Sequence, residues 1–400
     1  MVLPIKHGGM LAAPFVGFTP CVDQGGPMAK DAIVNESLAA KFATEKDSPY
    51  TRWVADEGLD IIAAHYVPDL KTVELKDWAR RGGRGVFINH EASRTSNDCY
   101  VAEIPAGGQL APQRQLFEEM ILVLSGHGST KVWNDAGAEV TFEWGPGALF
   151  AIPLNADHQH FNGSGTEVAR FVSSTNAPGI INLYDDIEFV FGTSHDFPKR
   201  FNGEPDYFAP KGEQKGLLLD TNFVADAISL PLIEAKERGA GGGHIRFNMA
   251  RGSMNSHISQ FPTATYKKGH RHGPGAHVII LSGEGYSLMW PEGEEPRRYE
   301  WQAGSMIVPP NMWYHQHFNT GTEPARYLAF KHEVVSIRNA QGVPKAWISQ
   351  RIGGDQIDYA DESSYVRETF KEALAKHGLE PAMETAYEQE KENLPPEPAA

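Results

Sequence analysis

The chain has 400 residues, 41% of them hydrophobic and 22% charged, with a formal net charge of −15 at pH 7. That length allows two or three packed units with a sizeable core, and the acidic balance, relieved only by short basic pairs such as Lys267-Lys268 and Arg297-Arg298, excludes a phosphate-backbone partner. No run of about 18 apolar residues exists to span a bilayer, and MVLPIKHGGMLAAPFVGF breaks its apolar stretch with glycines, so a cytoplasmic protein with no nucleic-acid and no membrane partner is expected.

Taken in chain order, AKDAIVNESLAAKFA and LKDWARR have helical character and mark residues 1–96 as a partly helical extension. Residues 97–190 carry short β-type runs (EMILVLSG, TKVW, EVTFEW, GALFAIP) separated by Gly, Pro, Asn and Asp. A long connection, 191–243, ends in GAGGG. Comparable runs return over 244–340 (HVIILSGEG, YSLMW, RRYEW, SMIVPP), and residues 341–400 hold a helical stretch followed by EKENLPPEPAA, whose acidic, proline-rich composition reads as disordered. The two cysteines, Cys21 and Cys99, give no disulfide framework, which fits a reduced compartment.

The pentapeptide HQHFN occurs twice, at His158–Asn162 and His315–Asn319, 157 residues apart. Sliding the chain by that offset superposes Ser125-Gly126 on Ser282-Gly283, Trp133 on Trp290, Gly147 on Gly304 and Pro153 on Pro310. After the pentapeptide the offset drops by one, as a hairpin one residue shorter requires. The β-rich unit is duplicated. Short strands without helical periods predict an all-β fold of two tandem barrels of the jelly-roll kind.

In the second copy His270 and His272 stand two apart, on one side of an extended strand, and His315 arrives from a later strand. Three neutral imidazoles suit a divalent transition ion, Fe(II) first, with Mn, Ni or Zn as alternatives, where magnesium or calcium would need oxygen ligands. His277 is a candidate fourth ligand if a bulge turns it inward. In the first copy Gln113 and Gln115 replace the paired histidines and leave Glu119 and His158 as a weakened site, structural in the main reading.

These residues resemble the cupin family, whose two motifs match from Gly269-flanked His270 to Gly283 and from Gly304 through Pro310 and His315 to Asn319, with Asn155 and Met312 in place of an inner glycine. The resemblance implies two cupin barrels, and a glutamate ligand that the first copy keeps as Glu119 and the second replaces with Ala276. The segments His270-Arg271-His272 through Ala276 and Trp313 to Asn319 look like the gentisate and salicylate 1,2-dioxygenase group. That group would imply Fe(II) on His270, His272 and His315, a hydroxylated aromatic acid as small-molecule substrate, and cleavage of its ring by O2.

Other assignments are left as alternatives. His317 and Asn319 are candidates for acid–base or ligand-orienting work or for a structural turn; Arg326, Tyr286 and Trp313 are candidate substrate contacts or parts of the barrel wall. A lyase, isomerase or decarboxylase using Mn, Ni or Zn is the second reading, and a non-enzymatic binding or storage protein the third. Exposed sheet edges predict a homo-oligomer.

Overall fold

Alternation along Glu119–Ser125 (EMILVLS) shows how the chain builds its cores. Ile121 and Val123 join Phe150 and Phe171 inside the first barrel, while Met120, Leu122 and Leu124 face the opposite side. Both faces are covered, so the strand reads as one apolar run. The corresponding strand His277–Ser282 repeats the arrangement, with Val278 and Ile280 inside the second barrel and Ile279 on the shared face.

The structure is a computed structural model that describes residues 48–88, 96–235, 239–273, 275–332, 338 and 340–396. Cys21 and the helix predicted over AKDAIVNESLAAKFA lie outside the described residues. From Ser48 onward the chain forms one compact unit.

Among the described residues each barrel joins a large sheet to a three-stranded one. In the first, the large sheet runs Ile61–Ile62, Gly83–Ile88, Asp98–Ile104, Ala169–Thr175, Glu119–Ser125, Leu149–Ile152, Phe223–Val224, and the small one Asp157–Asn162, Gly128–Trp133, Glu139–Trp144. In the second, the large sheet runs Glu213–Lys215, Leu218–Asp220, Gly243–Asn248, Met254–Phe261, Ala325–His332, His277–Ser282, Met306–Ile307, Tyr66–Val67, and the small one Arg297–Gln302, Glu284–Trp290, Tyr314–Asn319. The fold is all-β, two tandem double-sheet barrels, as the cupin motifs imply, with helices at Pro49–Asp56 and toward the C-terminal end and two more, Ala177–Tyr184 and Ile187–Gly192, after the first barrel's strand Ala169–Thr175. Tyr66–Val67 pairs with the second barrel and Phe223–Val224 with the first, so the predicted extension and linker are woven into the sheets.

The large sheets pack back to back, with Val101, Leu122 and Val172 meeting Ile258, Leu328 and Phe330. Each such buried side chain contributes about 1.5–3 kcal/mol of hydrophobic stabilisation. The outer face of the second small sheet, Tyr286, Leu288 and Phe318, is covered by Val366, Phe370 and Leu374 of the helix Ser364–Ala375.

Two expectations are corrected. LKDWARR is not helical: Lys76–Trp78 pairs antiparallel with Gly83–Ile88, because Trp78 is buried against Phe87 and Tyr100 and this packing outweighs the helix propensity of its neighbours. EKENLPPEPAA is not wholly disordered either. Glu390 to Asn393 end the helix Glu384–Asn393, and the Glu390 carboxylate accepts from the Tyr359 and Ala360 amides at 3.0 and 2.9 Å. Residues 397–400 lie outside the described residues.

The repeated pentapeptide has a structural explanation. In both copies a tryptophan indole donates to a hydroxyl that in turn meets the second histidine of HQHFN: Trp144, Thr130 and His160 at 2.9 and 2.8 Å, Trp301, Ser287 and His317 at 3.0 and 2.7 Å. Asn162 and Asn319 lock the following turn by donating to backbone carbonyls on two segments. Asn155 and Met312 both adopt left-handed backbone, φ 56° and 58°, at the motif's missing inner glycine.

Candidate metal centre

Backbone pairing brings the ligand segments together before any side chain is considered. His270 N donates to His315 O at 3.1 Å and His315 N donates to His270 O at 2.9 Å, making the two a cross-strand pair with ring centroids 4.3 Å apart. His272, two residues on, returns to the same side, 4.7 Å from the His315 ring. One nitrogen from each of His270, His272 and His315 lies within 4.8 Å of the others.

The tautomers follow from the hydrogen bonds. Nδ1 of His270 meets Lys268 O at 3.1 Å, Nδ1 of His272 meets Gly273 O at 2.8 Å, and Nδ1 of His315 meets Trp313 O at 3.2 Å. A carbonyl only accepts, so each Nδ1 carries a proton, and Nε2 is the nitrogen of each ring that a metal would take. Burial, reinforced by His272 and His317, holds the His315 pKa well below the usual imidazole range. The set fits a divalent transition metal: three imidazole donors oriented from behind, His315 from the strand Tyr314–Asn319, His270 bridged to it and His272 from the segment that follows. Ala276 occupies the place of the carboxylate ligand, and its side chain packs in the barrel core.

The residues around His270 are tied down by the C-terminal segment. Ile357 N donates to Gly269 O at 2.7 Å, Arg271 N donates to Asp355 O at 3.0 Å, and the Arg271 side chain pairs with Asp355 at 2.9 Å. Lys268 pairs with Asp358 at 3.1 Å and Glu390 at 2.6 Å. Gln316, between two inward histidines, points outward and donates to Glu362 at 2.7 Å; burial raises the pKa of Glu362 to about 8. A cavity of about 380 Å³ opens over His270 and His272, with Met312, Lys331, Arg246, His257 and Trp347 in its wall. Lys331 Nζ stands 3.4 Å from His272 Nε2.

Several predicted roles need correction. His277 is outside the cluster: it shares the interface face with Ile279, and its Nδ1 lies 3.2 Å from Asn97 Nδ2 between the barrels, where burial lowers its pKa to about 3. Tyr286 stacks on Phe318 at 4.5 Å beneath the C-terminal helices, not in the cavity. Arg326 is held by Gln260 Oε1 at 2.8 Å and by the carbonyls of Ala227 and Leu230, both at 3.0 Å. Trp313 lies against His65 and under Arg297. Asn319 is the turn lock already described, and His317 sits behind His315, rings 5.7 Å apart, oriented by Ser287.

In the first barrel the equivalent positions are bonded to one another. Arg80 donates to Gln113 Oε1 at 2.7 Å, Gln113 donates to Gln115 at 3.0 Å, and Gln115 donates to Glu119 Oε2 at 2.9 Å; Tyr100 and Ser173 donate to Glu119 Oε1. His158 Nε2 is 3.8 Å from Glu119, and burial lowers the pKa of His158 to about 4. A hydrogen-bonded chain stands where the second barrel gathers its histidines.

Sequence reasoning missed Arg246, His257, Lys345 and Trp347, which belong to no cupin motif. The signal for one of them, Arg246, was the strand GHIRFN, whose alternation puts polar His244 and Arg246 on one face.

No protein-family model matches the chain, and no curated protein is similar to it. Among solved structures, it is similar to a variant of Bacillus subtilis oxalate decarboxylase (15% identity, TM-score 0.45, covering 68% of this chain and 78% of that one). Lactobacillus farciminis oxalate decarboxylase in its formate complex is similar at 14% identity, TM-score 0.46, covering 68% of this chain and 88% of that one. Among the described residues no helix is long and apolar enough to cross a membrane.

Proposed function

We propose that the chain is a metal-dependent two-barrel enzyme of the cupin kind, in which His270, His272 and His315 hold one divalent transition ion and the cavity beside them takes a small carboxylic acid. The observation that carries this reading is the shared orientation of the three imidazoles, each Nδ1 on a backbone carbonyl and one nitrogen of each ring within 4.8 Å of the others. When bound, such an ion supplies Lewis acidity and, if it is iron, access to dioxygen chemistry. The chain's own residues do the rest. Lys331 offers an ammonium for a substrate carboxylate, and Met312 and Trp347 supply apolar wall that keeps water from the reacting carbons.

Iron-dependent cleavage of a hydroxylated aromatic acid by O2 is the first reaction class, supported by an all-nitrogen ligand set with Ala276 at the carboxylate position. A redox-neutral decarboxylation with Mn, Ni or Zn is the second, supported by Lys331, a proton donor placed beside the ligands. Protein loaded separately with each metal and offered salicylate, gentisate and oxalate distinguishes them. Oxygen uptake matched to substrate loss under iron supports the first, and CO2 release without oxygen uptake supports the second. Neither activity, in protein of full metal content, would remove both.

A further inference from the structure

The register between the two copies exposes a residue change that the second barrel makes beside its three histidines. Arg114 and Arg271 occupy equivalent positions, 157 residues apart, as do Asp135 and Glu292, and Asp157 and Tyr314. In the first barrel Arg114 Nη1 donates to Asp135 at 2.9 Å, and Arg114 Nε donates to Asp157, the residue before His158, at 3.0 Å. In the second, Arg271 Nη1 donates to Glu292 at 2.7 Å, but Tyr314 stands in place of the other carboxylate, its ring 4.8 Å from the Arg271 guanidinium. The carboxylate comes instead from outside the repeat: Asp355 of the C-terminal segment accepts from Arg271 Nε at 2.9 Å.

The same segment adds backbone. Arg271 N donates to Asp355 O at 3.0 Å and Ile357 N donates to Gly269 O at 2.7 Å, so that His270 is bridged to Gln356 on this edge and to His315 on the other. Arg271 lies between His270 and His272, and its anchor fixes the backbone from which both imidazoles project. Asp355 N in turn donates to Lys345 O at 2.9 Å, which ties the anchor to residues 344–347 of the cavity wall.

We infer that Asp355 is a positioning residue for the metal centre: from outside both barrels it holds Arg271, and through it the segment that carries His270 and His272, in the geometry a divalent ion takes. The inference rests on the three-histidine reading and assigns part of the site to a segment that the duplicated unit does not contain. Glu292, the other carboxylate on Arg271, is 72% exposed at its side chain and screened by solvent, whereas the Asp355 side chain is 13% exposed, so the Asp355 pair is the one that fixes the guanidinium.

Cobalt(II) titration, followed by the visible ligand-field bands, tests this together with amide hydrogen exchange of the metal-free protein over residues 268–272. Asp355→Ala should weaken cobalt binding by about tenfold or more, the usual effect of removing a group that orients a metal ligand. It should also shift the bands and speed exchange over residues 268–272, with exchange in the first barrel unchanged. Glu292→Ala should alter none of these. Asp355→Asn, which keeps the shape and loses the charge, should fall between the alanine variant and the unaltered protein, and serves if the alanine variant fails to fold. Unchanged cobalt affinity and bands in both Asp355 variants, or an equal loss in Glu292→Ala, would overturn the inference. Unaltered protein that takes up no cobalt removes the three-histidine reading, and exchange then decides alone: faster exchange over residues 268–272 in Asp355→Ala keeps the positioning role, and unchanged exchange overturns it.

Discussion

His277 and Ser287 show how single residues divide between the site and the scaffold. His277 is buried as a neutral imidazole, its pKa lowered to about 3 by burial against an ordinary value near 6.5. Between those values the unfolded chain binds the proton and the folded chain does not. Its contribution to stability is therefore complete above about pH 6.5 and is lost as pH falls, by about 1.4 kcal/mol per pH unit. His277→Met, which installs the residue found at Met120 of the first copy, should flatten the urea-unfolding free energy between pH 4.5 and 6 by about that slope. The comparison with the unaltered protein matters because Asp98, raised to about 6 by burial, pulls the opposite way over its own window. Ser287→Ala removes the partner of both His317 Nδ1 and the Trp301 indole and should cost about 1–3 kcal/mol in urea unfolding, whereas Ser287→Thr, the hydroxyl used in the first copy, should cost far less.

At the scale of elements, the strand Tyr314–Asn319 does two jobs by alternation: His315, His317 and Asn319 face inward and Gln316 and Phe318 meet the C-terminal segment. Glu362 sits in that contact with its pKa raised to about 8 by burial, so the folded state keeps a proton that the unfolded chain releases above about pH 4.5. Stability from this group is complete below pH 4.5 and lost as pH rises through 8. Glu362→Gln should match the unaltered protein in thermal unfolding at pH 4 and exceed it at pH 9. Elements were legible in the sequence wherever the repeat supplied a second copy: strands, turns and the His270, His272, His315 set all stand in register. They were illegible where tertiary contact decided, as for Trp78, whose burial turns LKDWARR into a strand, and for Arg246, which reaches the cavity only because Gly243–Asn248 pairs beside Met254–Phe261. The role of Asn319 stayed open in the sequence because a turn lock and a ligand-orienting residue look alike there; its hydrogen bonds to Pro262 and Glu323 carbonyls are those of a turn lock.

For the whole molecule, the back-to-back sheets make the barrels one compact unit from Ser48 onward, with strands of the predicted extension and linker crossing into them. Leu328→Ala, in that shared core, should cost about 2–5 kcal/mol and lower a single calorimetric transition rather than split it into two. The most direct test of the account is metal content per chain after reconstitution with iron, manganese, nickel and zinc in turn, measured on the full-length protein and on His272→Ala. The account predicts about one tightly held ion in the former and loss of it in the latter with folding intact, because the first barrel's corresponding atoms are bonded to one another. No ion in the unaltered protein, or an ion that survives His272→Ala, would contradict it.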